Sequence, residues 1–529
     1  MKEIEDLIAI SRKYGADDRF VIAGGGNTSY KTADRLWVKA SGHALATIDE
    51  DGFAVLDRAL LNPMGEKKYS SDTATREDQV KNDLAAACIT KGRRPSVETS
   101  MHNCLEAAYI VHLHPTLVGG LMCGKDAQER CAQLFPDALY IPYTDPGYTL
   151  FKKVYDKVGA YKKEHGREPQ VIFLQNHGIF VGADTTAEIG QVYDGILSTL
   201  EKEVRPVPQA EAPVCDCVSE VIPAIRQVLS RGGRGLKTLK ITNNALIDSF
   251  VQSREAAGPV LSPFTPDGIV YCKSEYIYLD APCDKLAAQA EKKIEAYVEK
   301  RGHTPKVLLI KGVGLVAVGD NAKNAQIITD VFQDAMKIAW YAQSFGGEHP
   351  MTRRQIEFID NWEVENYRRK VAGAGAKGRV EGKTIIVTGA AQGFGEGIAR
   401  NLLKEGANIV VADLNEAVGA KTAASFITGQ LPYARTAEGA KNQVVYVGRS
   451  LRSWLLHALR CAMALSLPIG LLVWQNLSAA IMLLPVPFIV ELLLVRWMRR
   501  RLGGYTGDCC GALFLLCELS LYLSAQLLF

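Results

Sequence analysis

The chain of 529 residues has no lysine after Lys441 and no charged residue from Cys461 to Val490, although charges are dense up to about residue 427. A long uncharged apolar stretch is typical of membrane-spanning helices and excludes a water-exposed surface for that part of the chain. The N-terminus, MKEIEDL, is charged, so we expect no signal peptide. The 12 cysteines are mostly scattered singly, which favours a reducing cytoplasmic compartment.

A basic stripe with interleaved aromatic residues is also lacking, and the formal net charge is only +3. Proteins that bind nucleic acid through their backbone phosphates need such a concentration of positive charge. We therefore expect no nucleic-acid partner.

The pattern of periodicity divides the chain into five segments. Residues 1–204 and 222–372 alternate helical patterns with short apolar strands, which predicts two α/β segments. Residues 205–221 are rich in proline and alanine, and we interpret them as a linker because proline lacks a backbone donor. Residues 380–426 start a third α/β unit, and residues 427–529 form a predicted membrane segment.

Two histidines in HLH, His112 and His114, lie on the same face of a predicted strand because side chains alternate with period two. His177 follows another apolar strand in QNHG. Three imidazoles with an open position suit a catalytic Zn²⁺. Glu98, in RPSVETSMHN, lies just upstream and is placed as a proton shuttle. The alternative is that these are ordinary histidines with an unrelated glutamate.

Part of the second segment repeats a pattern of the first. Residues 171–196 align with residues 307–332 around the match of Gly178 with Gly314, and His177 falls opposite Val313. We interpret the second segment as a degenerate copy that has lost a metal ligand. Chance resemblance between two αβ units is the alternative.

A glycine-rich turn, AGGGNTSYK, precedes these motifs, and KASG and RPS add short polar turns. Glycine allows backbone N–H groups to approach an anion, so a phosphate or carboxylate cradle is one interpretation. The other is that these turns simply join a strand to a helix.

In this order, GGGNTS, KASG, RPSVE, HLHP and NHG resemble the class II aldolase/adducin family, specifically the aldolase half of bifunctional aldolase/short-chain dehydrogenase proteins. The similarity covers about residues 5–370. It implies an αβα fold and a divalent metal, usually zinc, on His112, His114 and His177. Glu98 would be the acid/base that gives up the metal when substrate binds. Phosphate binding is implied for Asn27, Ser41, Gly42 and Ser96.

The resemblance further implies retro-aldol cleavage of a sugar phosphate to dihydroxyacetone phosphate and a short aldehyde. Homo-oligomers are common in the family, which also contains epimerases, decarboxylases and metal-free adducin-like scaffolds. Sugar-phosphate aldolases of the family have two adjacent serines before the glutamate. Here Ser96 is followed by Val97, so one phosphate donor is missing.

Residues 383–415 resemble the start of a short-chain dehydrogenase that prefers NAD. The loop TGxxxGxG contains Thr388, Gly389, Gly393 and Gly395, and Asp413 closes the second strand, where a carboxylate can hold ribose hydroxyls. That family needs a tyrosine and a lysine four residues apart. After Asp413 only Lys421 and Lys441 remain, and neither follows a tyrosine at that spacing. We predict no hydride transfer and no stable Rossmann domain.

The last hundred residues contain three apolar stretches, 455–474, 477–495 and 510–529, each long enough to span a bilayer. Arginines before the first and after the second predict cytoplasmic ends, so the tail is expected to be multi-pass in the cell membrane with the N-terminal domains in the cytoplasm. GGYTGDCCGALFLLCE, with LPYAR upstream, resembles the C-terminal part of cobalamin synthase, adenosylcobinamide-GDP ribazoletransferase. The motif residues are Thr506, Gly507, Asp508 and Glu518.

Two functions therefore compete: a metal-dependent lyase carrying incomplete appendages, and an Mg²⁺-dependent integral-membrane transferase of cobalamin synthesis. The His/His/His/Glu set is complete, whereas the acidic metal-binding motifs of the transferase's N-terminal part are absent. The lyase is favoured because its set of site residues is complete. The junction of incomplete pieces near residue 427 suggests a fusion or a misjoined reading frame.

Overall fold

A computed structural model describes residues 2–361, 378–380, 382–415 and 417–419, and the single positions 486, 489, 490, 493 and 496. The chain forms two compact units, Met1–Lys377 and Gly378–Phe529. The tail motif of Thr506, Gly507, Asp508 and Glu518 lies outside the described residues. So do the three predicted membrane spans, apart from single positions. Within the described part of the chain, no helix is both long and apolar enough to cross a bilayer.

The strands of the first unit are β1 (Asn27–Lys31), β2 (Arg35–Lys39), β3 (Phe53–Asp57), β4 (Tyr109–Leu113), β5 (Leu139–Ile141), β6 (Val171–Leu174), β7 (Gly178–Ala183), β8 (Thr238–Thr242), β9 (Ile277–Leu279), β10 (Val307–Ile310) and β11 (Gly314–Gly319). Its helices are α1 (Lys2–Gly15), α2 (Arg58–Leu61), α3 (Thr73–Ala87), α4 (Thr99–Cys104), α5 (Thr116–Met122), α6 (Ala127–Leu134), α7 (Tyr148–His165), α8 (Thr186–Glu201), α9 (Val218–Ser230), α10 (Ala245–Val251), α11 (Arg254–Ala257), α12 (Pro266–Cys272), α13 (Cys283–Arg301), α14 (Ala322–Ala342) and α15 (Arg353–Asn361).

A seven-stranded sheet in the order β3-β2-β1-β4-β7-β6-β5 forms the centre of the N-terminal segment. Adjacent residues of β4 show how it is packed: Val111 belongs to the apolar cluster on one face and Ile110 to the cluster on the other. Helices α1, α5, α6 and α8 contribute to the first cluster, and α2, α3, α4 and α7 to the second. Burial on both faces gives a three-layer αβα sandwich, the fold class predicted for a class II aldolase-like domain.

The second segment has a four-stranded sheet in the order β8-β11-β10-β9. This order and its strand directions repeat those of β4-β7-β6-β5: in each sheet one pair is parallel, β9 with β10 and β5 with β6, and the other two pairs are antiparallel. Each sheet also has a hairpin followed by a long helix, α8 or α14. Val313, at the position corresponding to His177, is fully buried in an apolar cluster. This repeated topology is what a degenerate copy would produce.

The two sheets belong to one compact unit because α5 and α14 pack closely. A Cβ on Gly120 would lie 2.4 Å from Cβ of Tyr341, and a Cβ on Gly119 would lie 2.9 Å from Ile338. The glycines therefore let the backbone of α5 approach α14. Thr116, at the start of α5, donates a hydrogen bond to Asp334 of α14 at 2.6 Å.

The second unit contains β12 (Thr384–Thr388), α16 (Gly393–Lys404) and β13 (Asn408–Ala412), and the two strands pair in parallel. A Cβ on Gly395 would lie 2.1 Å from the carbonyl oxygen of Gly389, so the helix can follow the loop only with glycine there. Ile386 and Phe394 are about half or more exposed. This βαβ unit thus buries only part of its apolar surface.

Three of the eight described cysteines, Cys123, Cys131 and Cys272, are buried, and burial raises the pKa of Cys131 to about 12. Cys217 and Cys283 differ, because they are joined by a disulfide with Cα atoms 6.0 Å apart. The starts of α9 and α13 bring them together. Helix α9 begins at Val218, inside the segment predicted to be a linker.

Candidate metal centre

His112 is the central residue of the site and lies in β4 with no exposed surface. Its ring stacks on Phe180 of the neighbouring strand β7, with centroids 4.0 Å apart. Its Nδ1 lies 2.9 Å from the carbonyl oxygen of Ile179, which can only accept, so Nδ1 carries the proton. Nε2 therefore keeps its lone pair. Burial lowers the pKa of His112 to about 4, which favours the neutral ring that a metal requires.

His114 follows the end of β4 and is oriented by a residue of the second segment. Its Nδ1 lies 2.8 Å from Oδ2 of Asp267 in α12, and the carboxylate accepts the proton of Nδ1. Nε2 of His114 then faces Nε2 of His112 at 3.0 Å. Two lone pairs at this distance repel each other unless a cation accepts both.

His177 is presented by the tight turn between β6 and β7. Asn176 has a positive φ of 55°, and its side chain donates to the carbonyl oxygens of Phe264 and His349 at 3.0 and 2.9 Å. A Cβ on Gly178 would lie 2.5 Å from Cδ2 of His114. The turn therefore needs both the strained asparagine and the glycine to place His177 against the other rings.

Glu98 completes the cluster from the start of α4. Its Oε1 lies 3.2 Å from Nε2 of His112 and 3.4 Å from Nε2 of His177. Burial alone would raise the pKa of Glu98, but the adjacent imidazoles of His112 and His177 hold that pKa well below its usual value. The side chain is thus a carboxylate, although it is largely enclosed.

The donor set fits a divalent cation of the Zn²⁺ type. One nitrogen from each of His112, His114 and His177 lies within 4.8 Å of the other two. Tetrahedral zinc with Zn–N bonds of about 2.0 Å separates its ligands by about 3.3 Å. The protonated Nδ1 atoms of His112 and His114 are fixed by a carbonyl and a carboxylate, as is usual for metal-binding histidines.

The residues assigned to phosphate binding lie at the start of β1 and on two turns of the chain. Asn27 pairs with His112 across β1 and β4, is only 2% exposed, and its Oδ1 has no hydrogen-bond partner among the described residues. Ser41 donates to the carbonyl oxygen of Pro95 at 3.4 Å, and Oγ of Ser96 accepts from the backbone N–H of Glu98 at 3.2 Å. Gly42, with φ of 95°, turns the chain next to Ser41. The two polar turns are therefore adjacent.

Val97 stands where sugar-phosphate aldolases have a second serine, and its surroundings account for an apolar residue. It packs against a small cluster of Ile269, Met351 and Ile359 from the second segment. A serine hydroxyl there would have to be buried against aliphatic side chains.

Asp267, Asp334 and His102 were not predicted as site residues. With His114 and His177, Asp267 and Asp334 line a small cavity of about 50 Å³, and burial raises the pKa of Asp334 to about 6. His102 is fully buried, and its Nδ1 lies 2.8 Å from Oγ of Ser29. The sequence offered a signal only for His102, which lies four residues after Glu98 on the same short helix.

In the second unit, the glycine loop donates a hydrogen bond to Asp413, the carboxylate predicted to bind ribose. Oδ2 of Asp413 accepts from the backbone N–H of Ala391 at 3.0 Å, and Oδ1 accepts from that of Asn415 at 2.9 Å. Gly389 and Gly393 both have φ of 63°. Thr388, at the end of β12, pairs with Ala412 of β13.

Three family profiles match the chain in succession. Residues 5–191 match the profile described as Class II Aldolase and Adducin N-terminal domain. Residues 5–191 form a class II aldolase/adducin domain. Residues 298–368 match Aldolase class II, second domain, and residues 396–526 match Cobalamin-5-phosphate synthase. The last match begins inside α16, upstream of the boundary predicted at residue 427, and the succession agrees with a fusion.

Among curated proteins, the chain is 24% identical over 464 residues to "Uncharacterized oxidoreductase YuxG" of Bacillus subtilis (strain 168). That match covers 78% of this chain and 65% of the relative, so the chain spans just under two thirds of that relative's length. A short stretch of 38 residues, 7% of this chain, is 50% identical to "Oxidoreductase UcpA" of Escherichia coli (strain K12) and covers 14% of it.

Two solved structures illustrate the likeness to the aldolase/adducin domain. The N-terminal class II aldolase domain of a conserved protein from Thermoplasma acidophilum is 28% identical, with a TM-score of 0.34, covering 38% of this chain and 93% of that one. L-fuculose-1-phosphate aldolase from Thermus thermophilus is 18% identical, with a TM-score of 0.23, covering 37% of this chain and 90% of that one.

Proposed function

We propose that the aldolase/adducin domain, with the second segment over its metal centre, is a divalent-metal-dependent lyase that cleaves a sugar phosphate by a retro-aldol reaction. The observation that carries the proposal is the position of Glu98, whose Oε1 lies 3.2 Å from His112 and 3.4 Å from His177. A carboxylate within reach of three converging imidazoles can serve both as a temporary ligand and as an acid/base.

A cation held by His112, His114 and His177 supplies Lewis-acid polarisation of the substrate carbonyl. Retro-aldol cleavage breaks the bond between the carbon next to the carbonyl and the carbon bearing the hydroxyl. The hydroxyl loses a proton, and the carbon next to the carbonyl gains one. Glu98 is the acid/base assigned to this transfer, because its carboxylate is deprotonated and enclosed.

We assign binding of the substrate's phosphate to Asn27 and to the turns that contain Ser41, Gly42 and Ser96. Val97 removes one hydroxyl from this set, so we expect weaker phosphate binding than two serines would give. Products would be dihydroxyacetone phosphate and a short aldehyde when the substrate is a ketose 1-phosphate.

The test is metal content and cleavage of a panel of ketose 1-phosphates by the full chain purified in detergent. We expect aldehyde release and one equivalent of zinc at the histidine centre, both lost in His112→Ala. His165→Ala is the matched control, because His165 is exposed at the end of α7. Metal binding with epimerisation or decarboxylation instead of cleavage would reject the lyase, and a folded chain without metal would favour a scaffold.

A second candidate function is favoured by the profile match of residues 396–526 to Cobalamin-5-phosphate synthase. In this proposal the tail is an integral-membrane, Mg²⁺-dependent ribazoletransferase with Asp508 and Glu518 as intramembrane acids. Membrane fractionation and a transferase assay with Asp508→Asn would test it. Transfer activity that depends on Asp508 would support it, and its absence from a membrane-inserted chain would reject it.

A further inference from the structure

A second cluster of metal-ligating side chains lies beside the sheet of the second segment, on the opposite side of that sheet from α14. Cys215, Cys217 and Cys283 each place a sulfur within 4.8 Å of the other two. Cys215 and Cys217 pack at the edge of the apolar cluster formed by α9 and α13. Helix α14 packs on the other face of the sheet, so this cluster is separate from the histidine centre.

We propose that in the reduced chain these three cysteines bind one thiophilic cation, Zn²⁺. Zinc is bound by cysteine thiolates with Zn–S distances of about 2.3 Å, which in a tetrahedron places the sulfurs about 3.8 Å apart. The Sγ atoms of Cys215 and Cys283 are 3.9 Å apart. The backbone therefore already holds this pair at the spacing of a zinc site.

Helix geometry favours negatively charged sulfur at two of the three positions. Cys217 immediately precedes α9, a helix of 13 residues, and Cys283 is the first residue of α13, a helix of 19 residues. The N-termini of both helices thus meet at the cluster, and the partial positive charge of a helix N-terminus stabilises a thiolate.

The third sulfur is positioned by the backbone. The N–H of Cys215 donates to the carbonyl oxygen of Gly312 at 2.9 Å, and the carbonyl oxygen of Cys215 accepts from Val218 at 3.1 Å. These bonds tie the segment 215–218 to the turn between β10 and β11. Cys283 is exposed, so the fourth position of a tetrahedral ion would be open to water.

The disulfide between Cys217 and Cys283 makes the site dependent on reduction. A dithiol reductant would deliver two electrons and two protons, becoming a disulfide itself, and both cysteines would become thiols. Binding of Zn²⁺ then releases one proton from each thiol that becomes a thiolate ligand. In a reducing compartment the metal-binding form is the one expected.

The first test uses the full chain in detergent with Co²⁺ in place of zinc, because thiolate ligands give an intense near-ultraviolet charge-transfer absorption that histidine ligands do not. With a phosphine reductant we expect this absorption at one equivalent per chain. It should disappear on oxidation with a disulfide reagent. Absence of the band from the reduced wild-type chain would overturn the proposal without any variant.

The second test measures zinc per chain in reduced Cys215→Ser, Cys283→Ser and the control Cys88→Ser, whose thiol is half-buried in another part of the chain. We expect each cluster variant to lose one equivalent while Cys88→Ser loses none. The cobalt band should persist in His177→Ala, which separates this site from the proposed lyase centre. Unchanged zinc in both cluster variants would reject the site.

Discussion

Oδ2 of Asp267 lies 2.8 Å from Nδ1 of His114, although the two residues are 153 positions apart in the sequence. The contact joins α12 of the second segment to the metal centre of the first. Because the carboxylate accepts the Nδ1 proton, it fixes the tautomer in which Nε2 of His114 faces His112. The second segment thus contributes to the geometry of the site as well as covering it.

Replacing Asp267 with alanine should weaken metal binding by about 10- to 100-fold, since the partners that orient a ligating imidazole usually contribute that much. The measurement is zinc affinity of the full chain by competition with a chelator. Asp156→Asn, an exposed carboxylate on α7, is the control and should bind like the wild type. Equal affinities in Asp267→Ala and wild type would mean that Asp267 does not orient His114.

Glu98→Gln should retain the metal but lose turnover, because glutamine keeps the shape of the side chain and cannot carry a proton. We expect kcat to fall roughly 10²- to 10⁴-fold, the usual contribution of a general acid/base. Steady-state cleavage together with metal analysis checks this. A kcat within a few fold of wild type, with metal present, would remove Glu98 from the proton transfer.

Gly178→Ala should disrupt the metal centre without a change in charge. The added Cβ would lie 2.5 Å from Cδ2 of His114 and equally close to the carbonyl oxygen of Leu113, so His114 must move. A displacement of about 1 Å at a catalytic site can cost roughly 100-fold in rate. The readouts are metal content and kcat.

The control for that substitution is Gly195→Ala in α8, where a Cβ would meet no heavy atom within 4 Å among the described residues. Alanine should stabilise this helix by about 0.5–1 kcal/mol and leave activity unchanged. If both glycine variants kept full activity, the close packing of Gly178 on His114 would not matter for function.

Stability should fall as the pH drops below about 6.5, because burial lowers the pKa of His102 from its ordinary 6.5 to about 3. Between these values the unfolded chain binds the proton and the folded chain does not. The contribution of neutral His102 to the free energy of unfolding is therefore fully present above pH 6.5. It decreases toward pH 3 by up to about 1.4 kcal/mol per pH unit. His112 acts in the same direction.

The urea midpoint of chelator-treated protein, measured from pH 7 to pH 4, checks this dependence. His102→Gln cannot titrate, so its midpoint should vary less with pH even if the variant is less stable at pH 7. His165→Gln should keep the wild-type slope. If the urea midpoint changed equally with pH in wild type and His102→Gln, the pH dependence would not come from His102.

The βαβ unit should not support hydride transfer. The chain after Asp413 lacks the tyrosine and lysine at a spacing of four that short-chain dehydrogenases need. We expect no NADH formation with a panel of alcohols and sugar alcohols, measured by absorbance on the full chain. NADH formation that disappears in Asp413→Ala would contradict this expectation.

The sequence by itself determined the local features of this protein. Period-two alternation placed His112 and His114 on one side of a strand, and the change in charge density separated the tail from the rest. These features depend on residues close together in the chain, where strand and turn geometry are nearly fixed.

Only the tertiary structure decided which distant residues meet. The contact of Asp267 with His114, the bonds from Asn176 to Phe264 and His349, and the approach of Cys283 to Cys217 all cross many residues of sequence. They follow from the packing of α5 against α14 and of α9 beside α13, which depends on side-chain shape across two sheets. No local periodicity encodes such contacts, because burial on a face specifies that a residue is inside but not what it touches.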